Sequence, residues 1–371
     1  MPTASAIAAD RAHMLRALRL AERGRGRTAP NPVVGAVLVK AGRVIAEGWH
    51  AQLGAPHAEA MVLSKAGAAA RGATLYVTLE PCAHVGRTPP CTEAILAAGI
   101  RRCVVAVRDP HAIVNGRGLR KLRATGVRVE VGLCAAEARE TLASYLRVHE
   151  HGLPRVTWKV AATLDGRIAD AQGHSCWITG PDARRVGHVL RATSDAVVIG
   201  AGTARADDPR LTARGIANVE QPVRVVCDTA LRLPLTLKLF GRSLAAGTVV
   251  ACGAKAPAKR VAALEARAVR VWKLPVVQGR VSALALAKRL AREGRHEVLI
   301  EGGAGLGASW VAAGLVQRLA LFSAPRVLGA GLSWCAPFGA TLDSAPVGRV
   351  LSITRVGADT LTWVAFDEGG R

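Results

Sequence analysis

The sequence predicts an α/β protein of two domains, the first of them a three-layer domain. The chain has 371 residues, 50% of them apolar, which is more than a single hydrophobic core usually organises. Short apolar runs alternate with helical segments along most of its length, as they do in α/β folds. The polar, glycine-containing segment from His149 to Pro154 separates two blocks that each look complete. We therefore expect domains at residues 1–148 and 149–371.

The first block begins with a helix that has Asp10 as its predicted N-cap and extends to about Arg23. A hairpin is predicted next, because residues 33–39 and 44–49 are strand-like and the four residues between them suit a tight turn. The remaining predicted elements are helix 57–66, strand 74–79, helix 91–98, strand 102–107, helix 117–125, strand 127–131 and helix 135–149. This alternation indicates a sheet with helices on both faces.

The second block repeats the alternation of strands and helices. Its predicted elements are strand 155–162, helix 181–192, strands 195–200, 222–227 and 247–252, helix 257–266, strand 268–273, helix 281–293, strand 296–301, helix 305–315 and strand 317–323. Two last apolar runs, 349–356 and 360–366, predict a closing antiparallel edge. No repeat at a fixed period is present, which disfavours a solenoid or a propeller.

The chain is strongly basic, with 50 Lys and Arg against 27 Asp and Glu and a formal charge of +23. Such a charge could attract nucleic acid, a membrane surface or a phosphorylated small molecule. The basic residues are scattered, and few aromatic side chains lie among them to stack on bases. We therefore interpret the charge mainly as a solvated, arginine-rich surface, with nucleic-acid binding as the less favoured alternative.

Cysteine usage and the N-terminal segment predict a cytoplasmic protein without a membrane partner. Apart from Cys82 and Cys91, the eight cysteines show no spacing typical of a disulfide framework, and Cys103 and Cys227 lie in apolar strand-like runs. Charged residues interrupt the N-terminus where a signal peptide needs a continuous apolar core. The long uncharged stretch 302–317 is broken by glycines and too short to span a bilayer. The sequence leaves a homo-oligomer open.

One histidine and two cysteines of the first block make a plausible set of zinc ligands: His57, Cys82 and Cys91. Three protein ligands leave the fourth tetrahedral position for water, as in catalytic zinc sites, and zinc lowers the pKa of that water to about 7. Glu59 lies in the first turn of the predicted helix, where its carboxylate could move protons without binding the metal. His-x-Glu followed by Pro-Cys-x-x-Cys is the signature of zinc nucleobase deaminases. The motif therefore predicts hydrolytic deamination.

Other interpretations remain open from these residues alone. The zinc could be structural, or His84 could replace His57 as the ligand, although neither alternative gives Glu59 a role. A nucleic-acid editing deaminase with an accessory binding domain agrees with the basic charge and predicts binding that weakens with salt. Eight residues, rather than two, separate the cysteines, and their glycine and prolines predict a rigid loop beside the metal.

The segment PCAHVGRTPPC at 81–91, together with PNPVVG at 30–35 and Gly-Arg-Gly at 116–118, resembles the deaminase domain of the bifunctional riboflavin-biosynthesis deaminase/reductases. The resemblance covers residues 10–148 and implies a cytidine-deaminase-like fold and a pyrimidinone substrate bearing a ribosylamino 5′-phosphate. By the same resemblance Glu59 is catalytic, and the pyrimidine contacts are Asn31, His50, Glu59 and His84, with Arg87 facing the phosphate. Where the family pattern has DPNP, this chain has DPHA at 109–112, which puts contacts from that loop in question.

In the second block, the predicted strand ending at Glu301 continues into a glycine-rich turn, GGAGLG at 302–307, before a helix. Such a turn exposes backbone N–H groups that bind the phosphate of a nucleotide cofactor. Turns of this kind also form simply because they allow close packing, so the pattern alone does not decide between the two.

Three segments, 159–180, 195–214 and 301–305, resemble the reductase domain of the same family, in order, across 155–371. The resemblance implies a dihydrofolate-reductase-like fold and NADPH-dependent reduction of the ribosyl group to ribityl. It implies NADPH contacts at Ala161, Trp177, Thr203, Asp207, Gly303, Ala304, Gly305, Leu306, Gly307, Ala308 and Ser309. It implies substrate contacts at Ser175, Arg191, Leu211, Arg214 and Glu301. Asp207 is the best acidic candidate for a proton donor, and Trp177 could equally be a core or lid aromatic.

Overall fold

The computed structural model describes residues 4–85 and 89–366. The chain divides between Gly152 and Leu153 into two compact units. The predicted start of the second domain, residue 149, lies within the last helix of the first unit. That helix continues to His151 and ends at Gly152, whose left-handed backbone (φ 69°) provides the C-cap.

The first unit is a five-stranded sheet with helices on both faces. Its helices are α1 (Ala4–Ala21), α2 (Ala58–Ala66), α3 (Cys91–Ala97), α4 (Arg117–Ala124), α5 (Ala135–Thr141) and α6 (Ala143–His151). Its strands are β1 (Gly35–Lys40), β2 (Arg43–Trp49), β3 (Thr74–Leu79), β4 (Arg102–Val107) and β5 (Arg128–Val131), in the order β2-β1-β3-β4-β5. Strand β1 pairs antiparallel with β2 and β3, whereas β3, β4 and β5 are parallel.

Alternating strand residues divide the core of this unit into two layers. On β1, Val37 packs with residues of α1 and of the α5–α6 region, and Leu38 packs with residues of α2, α3 and α4. Because successive side chains of a strand point to opposite faces, one sheet buries an apolar surface on each side. The predicted three-layer architecture is confirmed.

Two predicted helix boundaries in this unit are wrong. Helix α1 begins at Ala4, before the predicted N-cap Asp10, because the alanine-rich start of the chain has high helix propensity. The Asp10 carboxylate instead accepts hydrogen bonds from Tyr76 and Arg102. The predicted helix 135–149 is two helices, because the chain leaves helical geometry at Leu142 (φ −94°, ψ 5°).

The second unit is built on a nine-stranded sheet with the order β11-β10-β9-β8-β14-β6-β15-β18-β17. The strands of this unit are β6 (Arg155–Thr163), β7 (Arg167–Ala169), β8 (Ala196–Gly200), β9 (Val223–Cys227), β10 (Thr248–Gly253), β11 (Arg270–Leu274), β12 (Val276–Val277), β13 (Arg280–Val281), β14 (Glu297–Glu301), β15 (Arg318–Ala324), β16 (Leu332–Ser333), β17 (Gly348–Val356) and β18 (Asp359–Phe366). Strands β7 and β16 pair with each other, as do β12 and β13, outside the large sheet. The helices are α7 (Pro181–Ala192), α8 (Ala201–Asp207), α9 (Ala258–Glu265), α10 (Ala283–Arg292) and α11 (Ala304–Ala312).

From β11 to β15 the neighbouring strands of this sheet are parallel, and β18 and β17 close it antiparallel, as the sequence predicts. Helix α8 and the β12–β13 hairpin were not predicted. Helix α8 contains glycine and threonine and buries only Ala204, so it lacks an apolar periodicity. Over the described part of the chain, no helix has both the length and the apolarity needed to cross a membrane.

Candidate zinc and cofactor sites

The three predicted zinc ligands come together at the ends of three elements in the first unit. His57 is the N-cap of α2, Cys82 follows β3, and Cys91 is the first residue of α3. The His57 Nδ1 atom lies 3.2 Å from Cys91 Sγ and 3.7 Å from Cys82 Sγ. All three potential ligand atoms lie within 4.8 Å of one another, so they surround one point.

This donor set fits zinc. One imidazole nitrogen and two thiolate sulfurs are ligands that zinc takes in tetrahedral sites, and three of them leave one position for water. Hydrogen bonds from the Cys91 thiol, from His57 and from the Cys91 backbone N–H lower the pKa of Cys82. The geometry therefore favours the thiolate at Cys82, the form of cysteine that binds a metal.

The structure favours His57 over His84 as the imidazole ligand. Of the residues described, the group placed to hold a metal contains His57 and not His84, and it includes three ligands rather than four. Residues 86–88, which fall outside the description, are Gly, Arg and Thr and offer none of the usual zinc ligands. An arrangement of three ligands agrees with a catalytic site rather than a closed structural one.

Glu59 lies beside these ligands in the first turn of α2, with its side chain only 3% exposed. Burial and the nearby Cys82 charge raise the pKa of Glu59 to about 7, and its carboxyl group also contacts the Cys91 thiol. A carboxyl group that titrates near neutrality can both accept and return a proton. The environment of Glu59 therefore suits the predicted proton transfer.

Two of the predicted pyrimidine contacts, Asn31 and His50, lie next to the zinc ligands. The His50 ring packs edge-on against His57 with 5.3 Å between ring centroids. The His50 Nδ1–H donates to the Pro56 carbonyl at 3.2 Å, and its Nε2 lies 3.3 Å from the Asn31 amide nitrogen. Burial lowers the pKa of His50, which favours the neutral ring that this pattern needs.

His84, the third predicted ring contact, is half-buried, and its Nδ1 has no hydrogen-bond partner among the described residues. It lies close enough to His111 that its charge acts to lower the pKa of His111, after the larger effect of burial. Arg87, the predicted phosphate contact, lies outside the described residues.

Sequence reasoning missed Glu80, which fixes the loop beside the zinc ligands. Its buried carboxylate accepts four backbone N–H groups from a loop and the start of α4: Asp109 (3.2 Å), Gly116 (2.9 Å), Gly118 (2.9 Å) and Leu119 (3.3 Å). A Cβ at Gly118 would lie 2.0 Å from the Pro81 carbonyl oxygen, so glycine is required there. The position of Glu80 directly before Pro81-Cys82 was the available signal.

The loop at 109–112 departs from the family pattern at His111 and Ala112, and the retained Asp109 anchors it. Both carboxylate oxygens of Asp109 accept the Tyr145 hydroxyl at 3.1 Å, and one accepts the His111 backbone N–H at 2.8 Å. Burial raises the pKa of Asp109 to about 6. Asp109 therefore holds the loop, whereas the substitutions at His111 and Ala112 leave these contacts in place.

In the second unit, Arg191 and Glu301 form a buried ion pair with two parallel hydrogen bonds. The Arg191 Nε–Glu301 Oε1 distance is 2.5 Å and the Nη2–Oε2 distance is 2.7 Å. Burial acts to raise the pKa of Glu301, but the charges of Arg191 and Lys159 outweigh it and lower the pKa. Lys159, which sequence reasoning did not single out, is a second cation beside this carboxylate, and burial lowers its pKa.

The predicted glycine-rich turn connects β14 to α11. Gly302 and Gly303 have positive φ values of 72° and 76°, and a Cβ on either would lie close to the Thr203 side chain. A Cβ at Gly307 would lie 2.0 Å from the Trp158 indole, so this glycine is needed for packing. These residues fit a nucleotide cofactor. The two glycines leave no side chain in front of the start of α11, whose free backbone N–H groups can bind a phosphate.

The other predicted reductase residues differ in exposure. The Ser175 hydroxyl lies 3.3 Å from an Asp207 carboxylate oxygen, and burial raises the pKa of Asp207. Trp177 is 66% exposed, with the Arg184 guanidinium over its ring, so it is not a core residue. The Leu211 side chain is buried in the core. Ala161 is half-buried on β6, and Arg214 is exposed.

The site of the first unit and the fold of the second define a zinc deaminase joined to a nucleotide-dependent reductase. Residues 7–107 match the family described as cytidine and deoxycytidylate deaminase zinc-binding region, and residues 154–361 match the RibD C-terminal domain. The chain belongs to the RibD family of bifunctional riboflavin-biosynthesis enzymes.

Relatives match this chain over nearly their whole length. The riboflavin biosynthesis protein RibD of Aquifex aeolicus (strain VF5) is 42% identical over 87% of this chain and 89% of its own. That of Escherichia coli (strain K12) is 38% identical over 94% of this chain and 97% of its own. The structure of Acinetobacter baumannii RibD, form 1, has a TM-score of 0.89 at 36% identity, covering 98% of this chain and 100% of its own.

A Thermotoga maritima structure, a diaminohydroxyphosphoribosylaminopyrimidine deaminase/5-amino-6-(5-phosphoribosylamino)uracil reductase, is also similar. Its TM-score is 0.86 at 32% identity, covering 97% of this chain and 99% of its own. These likenesses confirm the predicted cytidine-deaminase-like and RibD reductase folds, and with them a zinc deaminase and an NADPH-dependent reductase in one chain. A nucleic-acid editing deaminase is not favoured.

Proposed function

We propose that the two units act in succession on one phosphorylated pyrimidine. The first unit replaces the ring 2-amino group of 2,5-diamino-6-ribosylamino-pyrimidinone 5′-phosphate by oxygen, and the second reduces the ribosyl group to ribityl. The observation that carries the proposal is the buried Glu59 beside His57, Cys82 and Cys91. The substrate follows from the family and from the reaction named for the Thermotoga maritima relative.

In the deaminase unit, His57, Cys82 and Cys91 would hold zinc, which would supply a water of lowered pKa as the nucleophile. The Glu59 carboxylate takes a proton from the attacking water and returns it to the departing amine, which leaves as ammonia. Its burial keeps bulk water from competing for that proton. Asn31 and His50, fixed by their mutual contact, orient the ring together with His84, and Arg87 binds the phosphate.

In the reductase unit, the turn at Gly302 and Gly303 and the start of α11 would bind a phosphate of NADPH, which would supply the hydride. Thr203, against the turn, and the exposed Trp177 complete this cofactor surface with Ala161. Arg191 and Glu301, with Ser175 and Arg214, position the substrate, and Leu211 contributes through its backbone because its side chain is buried. Two groups are chemically able to donate the proton: Asp207 and Lys159.

Cys82→Ser should remove deamination and leave reduction intact. A serine hydroxyl does not replace a zinc-bound thiolate, whereas the Arg191–Glu301 pair and the glycine turn belong to the other compact unit. The measurement is NADPH oxidation on substrate that has already been deaminated, beside ammonia release from the unmodified substrate. Cys134→Ser, outside the group of metal ligands, is the control and should keep both activities. Equal loss of both activities in Cys82→Ser would contradict separate sites.

We propose a cytoplasmic homo-oligomer that acts on a small molecule and not on nucleic acid. The eight cysteines are free thiols, in agreement with a reducing compartment.

Strand β17 lies at the edge of the large sheet, so its outer backbone groups pair with no other strand of the described residues. It also exposes apolar side chains such as Ile353, which is 69% exposed, and a second copy could cover this edge. Light scattering tests the oligomer, and a monomer at every concentration would contradict it. Activity restricted to RNA or DNA would contradict the small-molecule substrate.

A further inference from the structure

The β12–β13 hairpin lies at the carboxyl edge of the parallel sheet in the second unit. It follows directly after β11 and turns tightly at Gln278 and Gly279, which have positive φ values of 49° and 74°. The Val281 N–H donates to the Thr229 hydroxyl at 3.2 Å, so the hairpin is fixed to the residues that follow β9. Ligands of open α/β sheets bind at this edge, outside the carboxyl ends of the strands.

The hairpin places Arg280 against the start of α11. The Arg280 Nη1–H donates to the Gly305 carbonyl at 3.1 Å, and a Cβ at Gly305 would lie only 2.7 Å from the same nitrogen. Glycine therefore allows the guanidinium to approach the helix. The Arg280 side chain is exposed, and it forms no ion pair with any residue that the structure describes.

The hydrogen bond to the Gly305 carbonyl holds the guanidinium beside the N-terminal end of α11, but it does not neutralise the positive charge. The N-terminal end of a helix carries a partial positive charge, so a cation beside it is repelled rather than stabilised. An anion placed between the guanidinium and the N–H groups of the turn would be attracted by both. The arrangement thus suits a phosphate, which an arginine binds through two parallel hydrogen bonds.

The order of the strands indicates which part of a bound cofactor would lie here. Arg191, Glu301 and Lys159, which we assign to the reacting end of the site, lie on α7, β14 and β6. Arg280 reaches the turn from the other side, over β9 and β10, two and three strands beyond β14. A dinucleotide whose nicotinamide lies over β6 and β14 would extend its adenosine half toward β9.

We propose that Arg280 binds the 2′-phosphate of NADPH and gives the reductase its preference for NADPH over NADH. This role rests on the proposed cofactor site at the glycine turn. NADH differs from NADPH only in lacking this phosphate, so the contact separates the two cofactors by one charge-assisted interaction.

The test compares equilibrium binding by the full chain and its Arg280→Ala variant, measured by calorimetry without substrate. The probes are NADPH and NADH, and also 2′,5′-ADP and 5′-AMP, which differ only in the 2′-phosphate. Arg280→Ala should weaken NADPH and 2′,5′-ADP binding about tenfold or more and leave NADH and 5′-AMP within about twofold. Arg280→Lys should retain part of the preference, since it keeps the charge but not the fork of donors.

Arg267→Ala is the matched control, because Arg267 is an equally exposed arginine in the turn before the amino end of β11, at the opposite edge of the sheet. It should bind every probe as the unaltered protein does. If Arg280→Ala weakened the binding of NADPH and NADH equally, or left the binding of NADPH unchanged, the role of Arg280 would be overturned but the cofactor site would not. Failure of the unaltered protein to bind either dinucleotide would overturn the cofactor site itself and this role with it.

Discussion

Glu59→Gln should lower the rate of deamination by about two to four orders of magnitude while the protein keeps its zinc. The amide has the shape of the carboxyl group but cannot take a proton from water and return it to the amine. Glu59 is buried and its pKa is raised to about 7, so the neutral amide does not add a burial cost. The loss should therefore appear in the chemical step and not in folding.

The measurement pairs ammonia release with zinc content per chain and with NADPH oxidation on deaminated substrate. Glu93→Gln is the control, because Glu93 is exposed on α3, forms an ion pair with Lys121 and is not in the group of metal ligands. It should match the unaltered protein in all three. Loss of zinc from Glu59→Gln would make Glu59 a ligand rather than a proton carrier, and a deamination rate near that of the unaltered protein would remove its role altogether.

Glu301→Gln should destabilise the second unit by about 3 kcal/mol or more, because it leaves Arg191 buried without its anionic partner. The side chains of Arg191 and Glu301 are 17% and 10% exposed, so water cannot replace the lost interaction. Lys159 lies beside the same carboxylate, so two cations would remain without compensation. Substrate binding should fall as well, since Arg191 would lose the contact that orients it.

Tryptophan fluorescence during urea unfolding reports this loss, because every tryptophan except Trp49 lies after residue 152. Glu293→Gln is the control: Glu293 pairs with Arg289 at 2.8 Å and with Arg270 at 3.7 Å, but its side chain is 31% exposed and those of the two arginines are 44% and 43% exposed. An exposed pair of this kind contributes about 1 kcal/mol or less. Similar midpoints for the two variants would show that the Arg191–Glu301 pair contributes no more than a surface pair.

The sequence could predict the zinc site because the information is local. His57 and Glu59 are two residues apart at a helix start, and the Pro-Cys segment follows a clear strand, so the chemistry can be recognised before the fold is known. The same holds for the glycine turn after β14, where an apolar strand leads directly into glycines. Alternation of apolar runs also predicted the three-layer unit and the antiparallel edge of the second sheet.

The remaining features depend on contacts between distant parts of the chain. Glu80 binds backbone groups 29 to 39 residues away, and Arg191 lies 110 residues before Glu301, so neither pairing has a local pattern. Arg280 lies in a hairpin of two-residue strands, too short for a periodic signal. The break at Leu142 and the early start of α1 depend on packing and on helix propensity, which the periodicity of apolar residues does not show.

The most direct test of the account is to incubate the purified full chain with 2,5-diamino-6-ribosylamino-pyrimidinone 5′-phosphate, with and without NADPH, and to identify the products by mass. Without NADPH we expect one product, in which a carbonyl oxygen has replaced the ring 2-amino group. With NADPH that product should gain two hydrogens on the sugar. Two results would contradict zinc-dependent deamination followed by reduction in one chain. One is an unchanged substrate in both reactions, and the other is a main product in which the sugar is reduced but the ring keeps its 2-amino group.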